Sequence, residues 1–128
     1  MTWEREKGHE MIKRIWRGWT SPENADAYEQ LLNTTIVPGI TARGIAGHRG
    51  TEILRERDPS GTEVQFVTIM TFEDWDAVRE FAGGDGHDSV VPPQARALLS
   101  RFDTHSAHFD VAGDHPAGVD RGEIETTP

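Results

Sequence analysis

Two arginines stand in a stretch that otherwise reads as a buried strand. From Met11 to Trp19 the chain carries Ile12, Ile15, Trp16 and Trp19, with Arg14 and Arg17 between them. Side chains alternate across a strand, so Arg14 and Arg17 fall on opposite faces, as do Trp16 and Trp19. A guanidinium taken out of water needs a partner. One solution is an internal ion pair with an Asp or Glu of a neighbouring strand or of a partner chain. The other is an anion clamp, in which the cation stabilises a phenolate, an enolate or a superoxide-like charge held away from water. The tryptophans pose a parallel choice between core or subunit contact and an aromatic wall for a flat ligand. Tyr28, the one tyrosine, either packs with its hydroxyl at the edge or hydrogen-bonds a ligand.

His48, His105 and His108 are the candidate proton acceptors, because an unperturbed imidazole titrates near neutrality. His105 and His108 have opposite strand parity, which suits a shared metal poorly. A hydrogen-bonded structural imidazole is the competing reading for each. His9 and His115 fall in the tails. The run Gly83, Gly84, Asp85, Gly86 lacks the preceding strand and the lysine of a phosphate loop, so it reads as a rim loop. With Val90, Val91, Pro92 and Pro93 it forms a candidate lid.

The elements that must position these groups follow from the pattern. The first strand runs from Met11 to Trp19. Ser21, Pro22 and Glu23 open a helix with an N-cap, a proline at the first helical position and an early acid. Tyr28, Leu31 and Leu32 recur along it, and Pro38-Gly39 marks its end. A second strand from His48 to Arg57 meets a third from Glu63 to Phe72 across the turn Asp58, Pro59, Ser60, Gly61. The third strand is nearly continuous in apolar residues, so it is expected to be central and covered on both faces. Glu73-Asp74 opens a second helix through Trp75, Val78 and Phe81. A short helix from Gln94 to Ser100 precedes a last strand from Asp103 to Val111. This is an α+β, ferredoxin-like βαββαβ sandwich with an antiparallel four-stranded sheet in the order 4-1-3-2 and right-handed crossovers. Its helices cover one sheet face. The other face needs a cover, and a second copy of the chain is the expected one.

The chain has 128 residues, enough for one domain, here residues 11–111. Residues 1–10 read as a flexible, charged extension without a secretory pattern, and residues 112–128 as a disordered tail rich in Gly, Pro, Asp and Thr. Lys plus Arg is 13 and Asp plus Glu is 22, a net charge of −9. That balance argues against nucleic-acid and anionic-membrane partners. No apolar run approaches the roughly 18 residues of a spanning helix. The absence of cysteine excludes disulfides, thiolate catalysis, iron–sulfur clusters and Cys-ligated zinc. A cytoplasmic location is the expectation.

The strand from Ile12 to Thr20, the helix from Ser21 to Tyr28, the run Gly47 to Gly50, the strand Val64 to Met70 and the segment Val91 to Asp103 together resemble the antibiotic biosynthesis monooxygenase domain of the dimeric α/β-barrel superfamily. The resemblance covers residues 11–111. It implies a homodimeric barrel and a cofactor-independent monooxygenase acting on an electron-rich aromatic, such as a hydroquinone, anthrone or polyketide phenol. In that reading Arg17 holds the substrate anion, Trp19 stacks on the ring, and His48, His105 or His108 takes the proton. Arg14, Trp16, Trp19 and Tyr28 form the substrate wall. A non-catalytic small-molecule-binding or stress-response protein on the same scaffold is the alternative. Haem-degrading members use an Asn on the first strand with a Trp and a His on or after the second helix. Here that strand has no Asn, although Trp75 and His87 are present.

Overall fold

The computed structural model describes residues 11–118. The proposed extension at residues 1–10, and residues 119–128 of the proposed tail, lie outside them. The elements are β1 (Ile12–Thr20), α1 (Pro22–Leu31), a π-helical turn (Leu32–Ile36), α2 (Val37–Ala42), β2 (His48–Arg55), β3 (Val64–Phe72), α3 (Trp75–Ala82), α4 (Pro93–Leu98), β4 (Leu99–Phe102) and β5 (Ala107–Asp110). The sheet order is β2-β3-β1-β4, with β5 also on β1, and all pairings are antiparallel. No described helix is long and apolar enough to cross a membrane.

Local chemistry sets the helix ends. The Ser21 hydroxyl accepts from the Asn24 amide at 3.2 Å, and the Asp74 carboxylate accepts from the Ala77 amide at 2.9 Å, so each is an N-cap. Pro38-Gly39 does not end the first helix as expected. The chain continues helically to Ala42 by way of the π turn, where the Val37 amide reaches back to Leu32 O. A proline ring inside a helix strikes the carbonyl four residues back, and a widened turn relieves that clash. The Asn33 and Thr34 side chains help by donating to Glu29 O and Gln30 O at 3.0 and 2.8 Å.

The last strand also departs from expectation. It is split into β4 and β5: Asp103 N still donates to Arg17 O of β1, and residues 104–106 then leave β1. They bond instead to the segment after the glycine loop: Ser89 N donates to Thr104 O, and Ser106 N donates to His87 O. Trp16 Nε1 takes up the Asp103 carbonyl at 2.9 Å.

The even-numbered residues of β1 and β3 point at the helices and the odd-numbered ones away. Beneath the helices lie two apolar clusters. One gathers Ile12, Met70, Phe72, Val78 and Phe81 under α3; the other gathers Tyr28, Leu32, Val64, Phe66 and Ala95 under α1 and α4. On the opposite face Val67 and Ile69 of β3 are only half-buried, so the helices cover one face of this strand rather than both. Leu54 and Phe109 are 46 % and 54 % exposed on that bare face.

Candidate active site

The seam between the two clusters is not filled. A chamber of about 60 Å³ lies there, walled by Tyr28, Leu32, Met70 and Phe81 and floored by Arg14 and Trp16 of β1. It leads to an outer vestibule of about 240 Å³ that shares Ile36, Ile40, Phe81, Val90 and Pro92. The π turn therefore forms one lip of the mouth and the Val90–Pro92 segment the other. A chamber this small holds a few waters; a flat aromatic ligand must seat across both parts.

Arg14 is 3 % exposed and has no carboxylate partner among the described residues. Its Nη1 donates to Gly86 O at 2.6 Å and its Nη2 to Asp88 O at 2.7 Å. His108 Nε2 sits 3.0 Å from Nη1, where it can act only as the acceptor. The guanidinium also lies 5.2 Å from the Phe81 ring centre. Burial lowers the Arg14 pKa to about 10, with Asp88 opposing the shift, so the group stays charged at neutral pH. The His108 pKa falls to about 4 through burial first and then the neighbouring Arg14 and His87, so this imidazole is neutral at physiological pH. His108 thus orients Arg14 and is a weak base. Trp75 and His87 each meet the His108 ring edge to face behind it and are tilted against one another, with centroid separations from 4.7 to 5.4 Å.

Tyr28 lines the chamber, and its hydroxyl makes no hydrogen bond among the described residues. Burial pushes its pKa well above the ordinary value, so it is a neutral donor. Ser106 also lines the chamber. Its hydroxyl is buried without a partner. No carboxylate or imidazole is among the lining residues.

The structure thus brings Arg14, Trp16 and Tyr28 together, with His108 behind them. The other predicted residues lie elsewhere. Arg17 is on the bare face, its side chain 52 % exposed, and grips Asp103 through Nε at 2.9 Å and Nη2 at 3.1 Å. Of the two fates open to the arginines, Arg17 takes the ion pair and Arg14 the pocket. Trp19 also faces away, between Arg17 and Arg101, whose guanidinium is 3.8 Å from its ring centre. His48 leans on Phe72 and bonds Thr51 Oγ1 at 3.1 Å, one residue removed from the chamber. His105 is exposed beside the Asp88 carboxylate at 3.3 Å. Ser106 carried no motif to single it out. No group of three or more His, Asp or Glu side chains is placed to hold a metal among the described residues.

No family model and no curated protein matches the chain. Solved structures do. A Bacillus cereus protein described as a candidate antibiotic biosynthesis monooxygenase is 14 % identical, covers 84 % of this chain and 99 % of its own, and superposes with a TM-score of 0.57. SnoaB, a cofactor-independent oxygenase from Streptomyces nogalater, is 20 % identical over 84 % of this chain and 97 % of its own, with a TM-score of 0.51. A Nitrosomonas europaea protein of unknown function is 18 % identical over 87 % and 99 %, with a TM-score of 0.57. At such identities the likeness speaks for architecture, and in that respect the result is plain: this chain has the fold of the antibiotic biosynthesis monooxygenase structures.

Proposed function

We propose that the protein is a cofactor-independent monooxygenase acting on an electron-rich phenol, hydroquinone or anthrone bound between sheet and helices. The observation that carries this reading is Arg14, a buried cation without a carboxylate partner among the described residues, at the floor of an apolar chamber. A fixed positive charge in a dry site stabilises a phenolate far more than water does at the same distance. The phenolate is the electron-rich form that gives an electron to dioxygen, and the same cation stabilises the superoxide-like charge that follows. The overall reaction balances without a further reductant. A phenol and O2 give a quinone and water: one oxygen atom enters the ring carbon as C=O, and the other leaves as water with the two hydrogens lost from C–H and O–H. Since no lining residue is a carboxylate or imidazole, the substrate enters ionised or releases its proton to bulk water.

Two copies joined through the bare face would bury Leu54 and Phe109 and give the sheet its second cover. The homodimer belongs to the same proposal. The missing base favours a second reading, a pocket that binds an aromatic anion without turnover.

Oxygen uptake with a panel of anthrones and hydroquinones, in the presence of chelator, tests the enzyme. Uptake by the wild-type protein that falls in Arg14→Lys and is lost in Arg14→Met is the expected result. Ligand-induced thermal stabilisation with no uptake across the panel would leave only the binding reading.

A further inference from the structure

Ser106 explains what the mouth of the break between β4 and β5 is for. Ser106 directly precedes β5, whose register on β1 is Arg14↔His108 and Ile15↔Ala107, and it lines the chamber together with Arg14 and Trp16 of the floor. It is held there by its own backbone amide on His87 O at 2.9 Å, not by its hydroxyl. That hydroxyl is buried, with the residue 7 % exposed, and has no hydrogen-bond partner among the described residues. A buried hydroxyl without a partner forfeits the hydrogen bonds it makes in water, so a fold that keeps one beside a ligand chamber keeps it at a loss. Arg14 shows a matching incompleteness. All its polar contacts run from Nη1 and Nη2, and Nε makes none among the described residues. Five N–H donors meet three acceptors. The other hydroxyl groups of the lining are the neutral ones of Tyr28, Thr51 and Thr68, so Arg14 supplies the one charge, and Ser106 a buried hydroxyl with no competing bond among the described residues.

We propose that Arg14 and Ser106 form a two-point subsite for a pair of neighbouring oxygens on an aromatic ligand, at least one of them ionised. A ring carboxylate has this chemistry, and so does a phenolate flanked by a second oxygen. Arg14 supplies the charge. Ser106 supplies the selection, because a ligand with a single oxygen leaves its hydroxyl unpaired. The proposal rests on reading the chamber as an anion pocket, and it holds whether or not the bound anion is oxidised.

The test compares isomers by calorimetry. 2-Nitrophenolate and 4-nitrophenolate carry the same charge, but only the first has a second oxygen beside the phenolate. Benzoate and benzyl alcohol give the carboxylate arm with its neutral control. At a pH where both nitrophenols are ionised, the wild-type protein is expected to bind the 2-isomer about tenfold more tightly than the 4-isomer, or benzoate about tenfold more tightly than benzyl alcohol. Which arm responds identifies the phenolate or the carboxylate as the source of the pair. Ser106→Ala should abolish the nitrophenolate preference, or shrink the benzoate preference to the part that the Arg14 charge supplies, while leaving the melting temperature of the free protein unlowered, since the hydroxyl bonds nothing among the described residues. Arg14→Lys should keep part of the affinity. Equal affinity within both pairs, or a preference of undiminished size in Ser106→Ala, would overturn the proposal. Discrimination without oxygen uptake supports the subsite and removes only the oxygenase reading; uptake without discrimination removes the subsite and leaves the oxygenase.

Discussion

Replacing Arg14 with methionine tests whether this cation ties the glycine loop to the sheet. Methionine is unbranched and apolar, so the variant keeps much of the stem and removes the charge. Two carbonyls, Gly86 O and Asp88 O, then lose donors at 2.6 and 2.7 Å. A hydrogen bond from a charged donor contributes about 1.5–3 kcal/mol, so their joint loss costs about 3–6 kcal/mol. Against this stands the relief of burying no charge. The pKa falls from 12.5 to about 10, which at about 1.4 kcal/mol per unit amounts to roughly 3 kcal/mol. The net expectation is a loss of up to about 3 kcal/mol. With a urea m-value of about 1–3 kcal/mol/M, the midpoint falls by about 1 M. Tryptophan fluorescence in urea measures it. Hydrogen exchange adds a local signature, because Ser89 N and Ser106 N bond across the segment that Arg14 anchors. Both amides should exchange faster in the variant. An unchanged midpoint with unchanged exchange at Ser89 and Ser106 would refute the anchoring argument.

Two further outcomes follow from the same geometry. The folded state holds the His108 pKa at about 4 against an ordinary 6.5, so the unfolded chain binds more protons between those values. Stability should be full above pH 6.5 and decline toward pH 4, by an amount on the order of 1 kcal/mol after solvent screening; in His108→Asn that part of the decline should vanish from denaturation curves measured across this range. Light scattering of the purified protein should give about twice the 14.3 kDa of one chain, and Phe109→Glu on the bare face should shift the population toward the single-chain mass. A wild-type protein that stays at one chain's mass at every concentration would sink the dimer.

Much of the frame was readable because period-two alternation is a local signal. The opposite facing of Arg14 and Arg17, and of Trp16 and Trp19, follows from parity alone, and the caps at Ser21 and Asp74 act within one turn. The passage of the helix through Pro38 was not readable, because a proline signals a helix end unless a π turn relieves its clash, and the Asn33 and Thr34 bonds that support this turn resemble ordinary surface polarity. The split of the last strand was hidden for a different reason. Residues 104–106 leave β1 and give backbone groups to residues 87–89 instead, and such competition between distant segments leaves no mark in composition. Ser106 inherits that invisibility. Its position beside the chamber depends on the competing pairing. Arginine was recognised as anomalous in a strand, but which of the two would find a carboxylate depended on where Asp103 stood.

The placement of β1 at the centre of the sheet bears on the chain's biosynthesis. Its neighbours β3, β4 and β5 all lie later in the sequence, so β1 has no partner until β3, more than forty residues on, has emerged, and no second one until β4 and β5 follow. Its contacts are non-local, and folding that depends on such contacts is slow. During that wait an exposed run containing Ile12, Ile15, Trp16 and Trp19 invites pairing with neighbouring nascent chains. Lys13, Arg14 and Arg17 interrupt it at close intervals, and charges so placed keep an unpaired strand from self-association. The charge that later serves the chamber floor first serves as a gatekeeper on the unfolded chain.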